Sequence, residues 1–512
     1  MLNENGAMMK QGGSAVTFSS ESSFGYGFTT SQNPSWNLHQ VLEATGGRLL
    51  SGPHVIGFRA ISTDSRTLEP GDLFVALVGE NFDGHLFLEE AVRRGAAGVV
   101  VDRQPERQLP TSVVQVKDTQ KALGDLAHYR RLQIPGLKVA AITGSCGKTT
   151  VKEMIAAILS LKGSVLKTKG NFNNLVGLPL SLLPVSFHHR FAVLEMGMNR
   201  PGEIGRLTKI AAPDVALITT IKEAHLMGLH SIEGVARAKA ELFEQAGPAA
   251  KLVVNLDDPL VKKMAGFFPQ QKITFGTGKE AMVRATHIVS RGAAGMTYTL
   301  HFSGIKRRVR CRMIGQHNVV NGLAAAAACF ALGIGMETIV EALETFAAPR
   351  DRMELRELPG GIVLLNDVYN ANPGSVAAAI EAVHGARGKA ASVAVLGDML
   401  ELGEEAAALH RRIGRTVRQH EFSALLAIGE FAADIVKGAR LAGMSETRAL
   451  TCASKQEIVD QLLTMIRSGR LQAGDWLLLK GSRGMRMEEV AAGLEAALAG
   501  NGLTADSSIP GK

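Results

Sequence analysis

Cysteine is scarce and scattered. Cys146, Cys311, Cys329 and Cys452 are the only four in 512 residues, and no pair has C-x-x-C spacing. Neither a disulfide framework nor a zinc site is expected, and a reducing cytoplasm fits. Aromatics are also few, at 5% of the chain with two tryptophans, and the basic residues are dispersed along it. Despite a net charge of +8, a nucleic-acid platform is therefore not expected, whereas small anionic ligands suit that balance. No stretch approaches the roughly 20 apolar residues that cross a bilayer, and no basic cluster leads into an apolar run near the N-terminus. A cytoplasmic monomer without a transmembrane segment is expected.

What is present is a globular composition, 46% hydrophobic and 20% charged, with 56 glycines that imply many tight turns. The length suggests two or three cores. Residues 1–35 are rich in Ser, Gly, Thr and Asn without a sustained apolar period and read as a tail; 501–512 have the same character. Between them short apolar runs alternate with helical patterns, the signature of α/β domains with mainly parallel sheets. Three blocks are expected, 36–135, 136–349 and 350–500. Strands are predicted over Asp72–Leu77, Gly98–Val101, Lys138–Ile142, Phe191–Leu194, Val215–Thr220, Ile362–Leu365, Val393–Leu396 and Trp476–Leu479, and helices over Phe87–Arg94 and Ser231–Glu244.

The strongest local signal is Gly144-Ser145-Cys146-Gly147-Lys148-Thr149-Thr150, between a strand and a helical stripe of Val151, Met154, Ile155, Ile158 and Leu161. Glycines admit an anion to the backbone, successive N–H groups and the helix N-terminus point at it, Lys148 brings a mobile charge, and the Thr149 hydroxyl can reach Mg2+. The two glycines are separated by two residues, where a Walker loop has four. A GTPase would also carry N-K-x-D, which is absent. Cys146 lies near Lys148 and a helix N-terminus, a setting that lowers a thiol pKa; the alternative is a side chain that points away while its backbone works.

Two further positions bear on metal binding. Glu195 ends a buried strand, where ligands of open α/β sheets gather, and is a hard oxygen donor for Mg2+. On the Ser231–Glu244 helix, Lys239 falls seven residues after Ile232, on the apolar face. Either its stem snorkels past the core, or burial leaves a neutral amine able to capture CO2 as a carbamate.

The shortened G-x-x-G-K-T-T loop resembles that of the Mur ligase and folylpolyglutamate synthetase superfamily, whose members activate a carboxylate as an acyl phosphate with ATP. Further segments are similar to the same family in the same order: Ala224-His225-Leu226, Ala238-Lys239-Ala240-Glu241-Leu242, Gly315-Gln316-His317-Asn318, Arg350-Asp351-Arg352 and Asp367-Val368-Tyr369-Asn370-Ala371-Asn372-Pro373. The resemblance implies three domains, with a central P-loop-type sheet and a Rossmann-like last domain. It implies ATP and two Mg2+ ions held by Thr149, Glu195, His225 and a carbamate on Lys239, with Lys148 on the phosphates. Asn318 would sit at the adenine, Arg352 rather than Arg350 at the phosphates, and Asp367 at the ribose.

The last of these segments is most similar to the branch that adds D-alanyl-D-alanine to UDP-N-acetylmuramoyl-tripeptide. The dipeptide would then meet Tyr369, Asn370 and Asn372. The muramoyl part would meet Asn171, Asn173 and Asn174. The uridine nucleotide would meet Ser62, Asp64, Ser65 and Arg66 together with Asn81, Asp83, Gly84 and His85. Read as residues alone, these first-block segments are polar turns, the Asx-rich run at Asp367 is a turn, and either asparagine near His317 is a helix N-cap. Another ligase of the superfamily, or a non-catalytic nucleotide switch, is the competing expectation.

Overall fold

Three large sheets succeed one another along the chain, with a two-stranded hairpin (Val78–Gly79 with Phe82–Asp83) besides, in the computed structural model, which describes residues 36–52, 57–224 and 226–500. The two expected tails and His225 lie outside the described residues. The described residues cluster into one body.

The first sheet contains β1 (Arg48–Ser51), β2 (Ile61–Ser62), β3 (Leu73–Val75), β4 (Gly98–Val101) and β5 (Ser112–Gln115) in the order β1-β5-β4-β3-β2, with β1 antiparallel to β5. Helix α1 (Thr119–Leu132) follows it.

The middle sheet comprises β6 (Lys138–Thr143), β7 (Val165–Lys167), β8 (Phe191–Glu195), β9 (Val215–Ile218), β10 (Lys251–Asn255), β11 (Lys272–Gly276), β12 (Val283–Ser290), β13 (Met296–Phe302) and β14 (Ile305–Cys311). Their order is β14-β13-β12-β11-β10-β9-β6-β8-β7, parallel except for the last hairpins, where β13 runs antiparallel to β12 and β14. Helices α2 (Lys148–Ser160), α4 (Gln316–Ala331) and α5 (Met336–Thr345) cover one face through residues such as Ile155, Leu323 and Ile339, while α3 (Ile232–Gln245) packs Val235, Leu242 and Phe243 on the other. Strands buried on both faces read as continuous apolar runs, which is why β6, β8 and β9 are legible in the sequence. Truncating Ile155, fully buried under the sheet, would cost roughly 2–5 kcal/mol.

The third sheet is β15 (Glu354–Leu358), β16 (Ile362–Asp367), β17 (Ser392–Leu396), β18 (Ala424–Ile428), β19 (Ala449–Cys452) and β20 (Trp476–Lys480), ordered β15-β16-β20-β17-β18-β19. Five residues separate the end of β16 from helix α6 (Pro373–Ala386).

Several element ends differ from expectation. β3 is shorter than Asp72–Leu77, because Asp72 is occupied in accepting from Glu69 N–H and pairing with Arg59. The helix expected from Phe87 starts at Leu88, after a tighter turn over Gly84–Phe87. α2 stops at Ser160, whose hydroxyl donates back to the Ala156 carbonyl at 2.7 Å, and Leu161, expected on its apolar stripe, is 47% exposed. Neither asparagine caps α4; Gly315 stands at that N-cap.

Candidate active site

The loop between β6 and α2 needs its glycines. Gly144 (φ 151°) and Gly147 (φ 82°) lie where an L side chain is strained, and a Cβ would strike Thr219 Oγ1 at the first and come within 2.5 Å of Asn321 Oδ1 at the second. The turn is tied to β9 and its exit: Ser145 N–H donates to the Thr220 carbonyl (2.8 Å), the Ser145 hydroxyl to the Lys222 carbonyl (2.9 Å), and the Thr219 hydroxyl to the Cys146 carbonyl. With Gly147 at its N-cap, α2 has no side-chain cap. Its first N–H groups therefore face the cleft unspent, with the positive end of the helix dipole behind them.

Lys148 Nζ donates to the Gly144 carbonyl at 2.7 Å. Burial in the cleft pulls its pKa below the ordinary lysine value, partly offset by Glu195. Glu195 closes β8 and is 3% exposed. Its carboxylate accepts from the Thr149 hydroxyl at 2.8 Å and from Asn173 Nδ2 at 3.0 Å, and its backbone N–H donates to Thr168 Oγ1 at 3.0 Å.

Lys239 is 2% exposed, and among the described residues it has neither a hydrogen-bond nor an ion-pair partner. Burial, reinforced by the nearby Lys148 charge, pushes it well below the usual lysine range. Its stem does not snorkel. Among the described residues no group of three or more His, Cys, Asp and Glu side chains gathers that could hold a metal ion.

A cleft of about 730 Å³ opens above this corner. Ser145, Cys146, Gly147, Lys148, Thr149, Thr150, Glu195 and Asn318 line it from the middle sheet, with Asn171, Asn173 and Asn174 from the loop after β7. Arg352, Asp367, Tyr369, Asn370 and Asn372 line the opposite wall. Asn174 is also spent locally, accepting from Val176 and Gly177 N–H groups. Asn318 is buried, donates to the Ile314 carbonyl and accepts from Asn321, so it is Asn321 that turns toward Gly147. Arg352 stacks its guanidinium 3.7 Å above the Tyr369 ring, whereas Arg350 is 84% exposed beside Asp351.

Across the cleft, Asn372 caps α6 by accepting from Ser375 N–H at 2.8 Å. It also receives the Cys146 thiol at 3.2 Å and donates to the Ser145 carbonyl at 3.2 Å. Cys146 thus points at the third sheet, and burial raises its pKa despite Lys148. The thiol activation that the loop position suggested is overridden by desolvation.

The first-sheet candidates do not line this cleft. Asp64 forms a two-pronged pair with Arg66 (2.9 and 2.7 Å), whose hydrogen bonds lower the carboxyl to about 2. Ser62 Oγ accepts from Asp64 N–H and Ser65 is buried. Asp83 accepts from the N–H and ring of His85 and pairs with Arg103; burial works against its charge, but these bonds hold it at about 2. Gly84 is buried and Asn81 exposed on the adjoining hairpin.

Two buried lysines have no role assigned from the sequence, although Leu479-Lys480-Gly481-Ser482-Arg483 resembles a segment of the family's last domain. Lys480 ends β20, pairs with the Asp367 carboxylate and donates to the Asn370 carbonyl at 2.9 Å. Lys152, on α2, donates to the Thr168 carbonyl at 3.0 Å, pairs with Glu153 at 3.0 Å, and stands 3.9 Å from Glu195. Apolar strand periodicity flagged the end of β20, but only the fold brings Asp367 to it.

This arrangement, an open phosphate loop faced by a second α/β wall, is that of a three-domain ATP-dependent ligase, and family models agree. The Mur ligase family catalytic domain matches 58–131, the Mur ligase middle domain 142–329, and the Mur ligase glutamate ligase domain 351–483. The chain belongs to the Mur ligase family. Its relatives include the UDP-N-acetylmuramoyl-tripeptide--D-alanyl-D-alanine ligase of Bacillus subtilis (strain 168), 37% identical over 84% of this chain and 92% of the relative. Among solved structures, MurF from Acinetobacter baumannii superposes with a TM-score of 0.84 at 34% identity, covering 91% of this chain and 100% of that one. MurF ligase from Thermotoga maritima in complex with ADP gives 0.78 at 28% identity, covering 86% and 98%.

Proposed function

We propose that this chain joins D-alanyl-D-alanine to UDP-N-acetylmuramoyl-tripeptide, consuming ATP, in cytoplasmic peptidoglycan precursor synthesis. Relatives of that activity match it over nearly their whole length. The observation that carries the reading is an uncapped phosphate-loop helix and the Glu195 carboxylate in a cleft walled by the third sheet, with the buried Lys239 close enough to feel the Lys148 charge.

In the proposed mechanism the tripeptide carboxylate takes the γ-phosphoryl group, and the dipeptide amine displaces phosphate from the acyl phosphate. The protein supplies position and charge rather than a nucleophile. The first N–H groups of α2 hold the triphosphate, and Lys148 leaves the Gly144 carbonyl for its terminal oxygens. The Thr149 hydroxyl and Glu195 carboxylate are hard oxygen donors suited to one Mg2+. Lys239, buried and driven toward the neutral amine, is chemically fit to become a carbamate, which together with His225 would hold a second. When bound, magnesium supplies the positive charge that offsets phosphoryl transfer.

Asn318, Arg352 and Asp367 border the nucleotide in this reading, Asn171, Asn173 and Asn174 the muramoyl peptide, and Tyr369, Asn370 and Asn372 the dipeptide. The segments around Ser62–Arg66 and Asn81–His85 hold the uridine nucleotide, which assigns one reactant mainly to each of blocks 36–135, 136–349 and 350–500. A monomer suffices. Closure of the walls keeps water from the acyl phosphate.

ADP release that requires both UDP-N-acetylmuramoyl-tripeptide and D-alanyl-D-alanine is the expected result. Release driven instead by a folate and glutamate overturns the proposal. For the carbamate, Lys239→Ala should lose activity and recover part of it with a small added carboxylate; full activity without that help removes the assignment.

A further inference from the structure

Although the basic residues are dispersed along the sequence, the fold gathers one group of them. From Ala281 to Met336 the chain contains no aspartate or glutamate but seven arginines and lysines. Strands β12, β13 and β14 lie in this stretch, at the edge of the middle sheet. Their alternation sends Ala285, Tyr298, Leu300 and Val309 to the core.

The other set forms cross-strand rows on the outer face: Arg284 with His301 and Lys306, Thr286 with Thr299 and Arg308, and Val289 with Thr297 and Arg310. Lys306, Arg308 and Arg310 are exposed and Arg284 half-buried. Among the described residues none of these four cations has an ion-pair partner. The acids of α5 are used on another side of β14, where Glu337 pairs with Arg307 at 2.7 Å and Glu344 accepts the Arg310 backbone N–H at 2.9 Å. One exposed apolar side chain, Val289 (57%), stands in the row of Arg310.

We infer that this outer face of β12–β14 docks the protein reversibly on an anionic lipid surface. Like charges left uncompensated on a sheet face repel one another, so the face is stabilised by a partner carrying fixed negative charge. The face is an open sheet surface with an exposed valine able to enter the headgroup layer, which matches a bilayer. Its rows contain no phenylalanine, tyrosine or tryptophan on which bases could stack, which disfavours single-stranded nucleic acid. β12 lies four strand positions from β6, roughly 19 Å at about 4.8 Å each, so docking leaves the phosphate loop free. Each arginine or lysine near such a surface strengthens attachment about fivefold, and four give an upper bound on the order of several hundred-fold, reduced by salt screening.

Flotation of the full-length protein with vesicles tests this. Binding is expected to phosphatidylcholine mixed with phosphatidylglycerol, not to phosphatidylcholine alone, and to fade as salt rises. Arg284→Glu, Lys306→Glu, Arg308→Glu and Arg310→Glu together should weaken it at least tenfold while ADP release in solution is unchanged. Should that fourfold change disturb folding, Lys306→Gln with Arg308→Gln, both at exposed positions, should still weaken binding several-fold. Equal binding to both vesicle types, binding to neither, unchanged binding by the folded variants, or tighter binding to a DNA oligomer than to the anionic vesicles would each overturn the inference.

Discussion

Two helix N-termini meet across the cleft, and they treat their charge in opposite ways. Both follow a parallel strand and a short turn: β6 leads through Gly144–Gly147 into α2, and β16 leads through Tyr369–Asn372 into α6. At α6 everything is spent. Asn372 and Ser375 form a reciprocal cap, and Lys480 is saturated by Asp367 and two carbonyls. At α2 little is spent: no side chain caps the helix, Lys148 rests on a carbonyl of its own loop, and Lys239 has no counter-charge among the described residues. Unspent positive potential can be delivered to a developing phosphoryl charge, whereas saturated potential can only hold a wall in place.

The sharpest break in this contrast is Lys148→Ala. Turnover should fall on the order of 10³-fold, measured by ADP release, while thermal unfolding is unchanged or improved because burial costs the lysine more than the nearby Glu195 charge returns. Lys480→Met should do the reverse, leaving the Asp367 carboxylate buried and unpaired. A loss of about 3–5 kcal/mol in urea unfolding is expected, partly restored by adding Asp367→Asn; equal damage from the double change would show that the pair is not the unit.

His317, on α4, lines the same cleft, and burial lowers its pKa from 6.5 to about 4, with Asp367 opposing and Lys480 assisting. Since the unfolded chain protonates first, stability should be full above pH 6.5 and decline as pH falls toward 4. The decline should be about 2 kcal/mol once the ring's partial exposure is allowed for, and it should be flattened in His317→Gln. Smallest is Asn372→Ala, which removes a cap worth about 1 kcal/mol and both links to the phosphate loop. Its melting temperature should drop by a few degrees, and iodoacetamide should reach Cys146 faster than in the unaltered protein.

The spent and unspent ends were not equally legible in the sequence. The α2 end is a contiguous motif between a fully buried strand and an amphipathic helix, so spacing and periodicity expose it. Glu195 and Lys239 were readable for the same reason, one at a strand end and the other on an apolar helix stripe. The α6 end depends on Lys480, 113 residues from its partner Asp367, and no local period announces such a pair. Lys152 was hidden likewise, since its partner Thr168 arrives through the tertiary path of β7. The β12–β14 hairpins were missed because their alternating strands carry arginine on one side, which reads as a solvated loop until register aligns the rows.

The bridge formed by Asn372 has a mechanical consequence. One amide reaches both the Ser145 carbonyl and the Cys146 thiol, and each such contact contributes only about 1 kcal/mol. At this point the jaw is latched lightly enough for thermal motion to release it, so a machine that must admit bulky reactants and let a larger product go can gape and shut without dismantling either sheet.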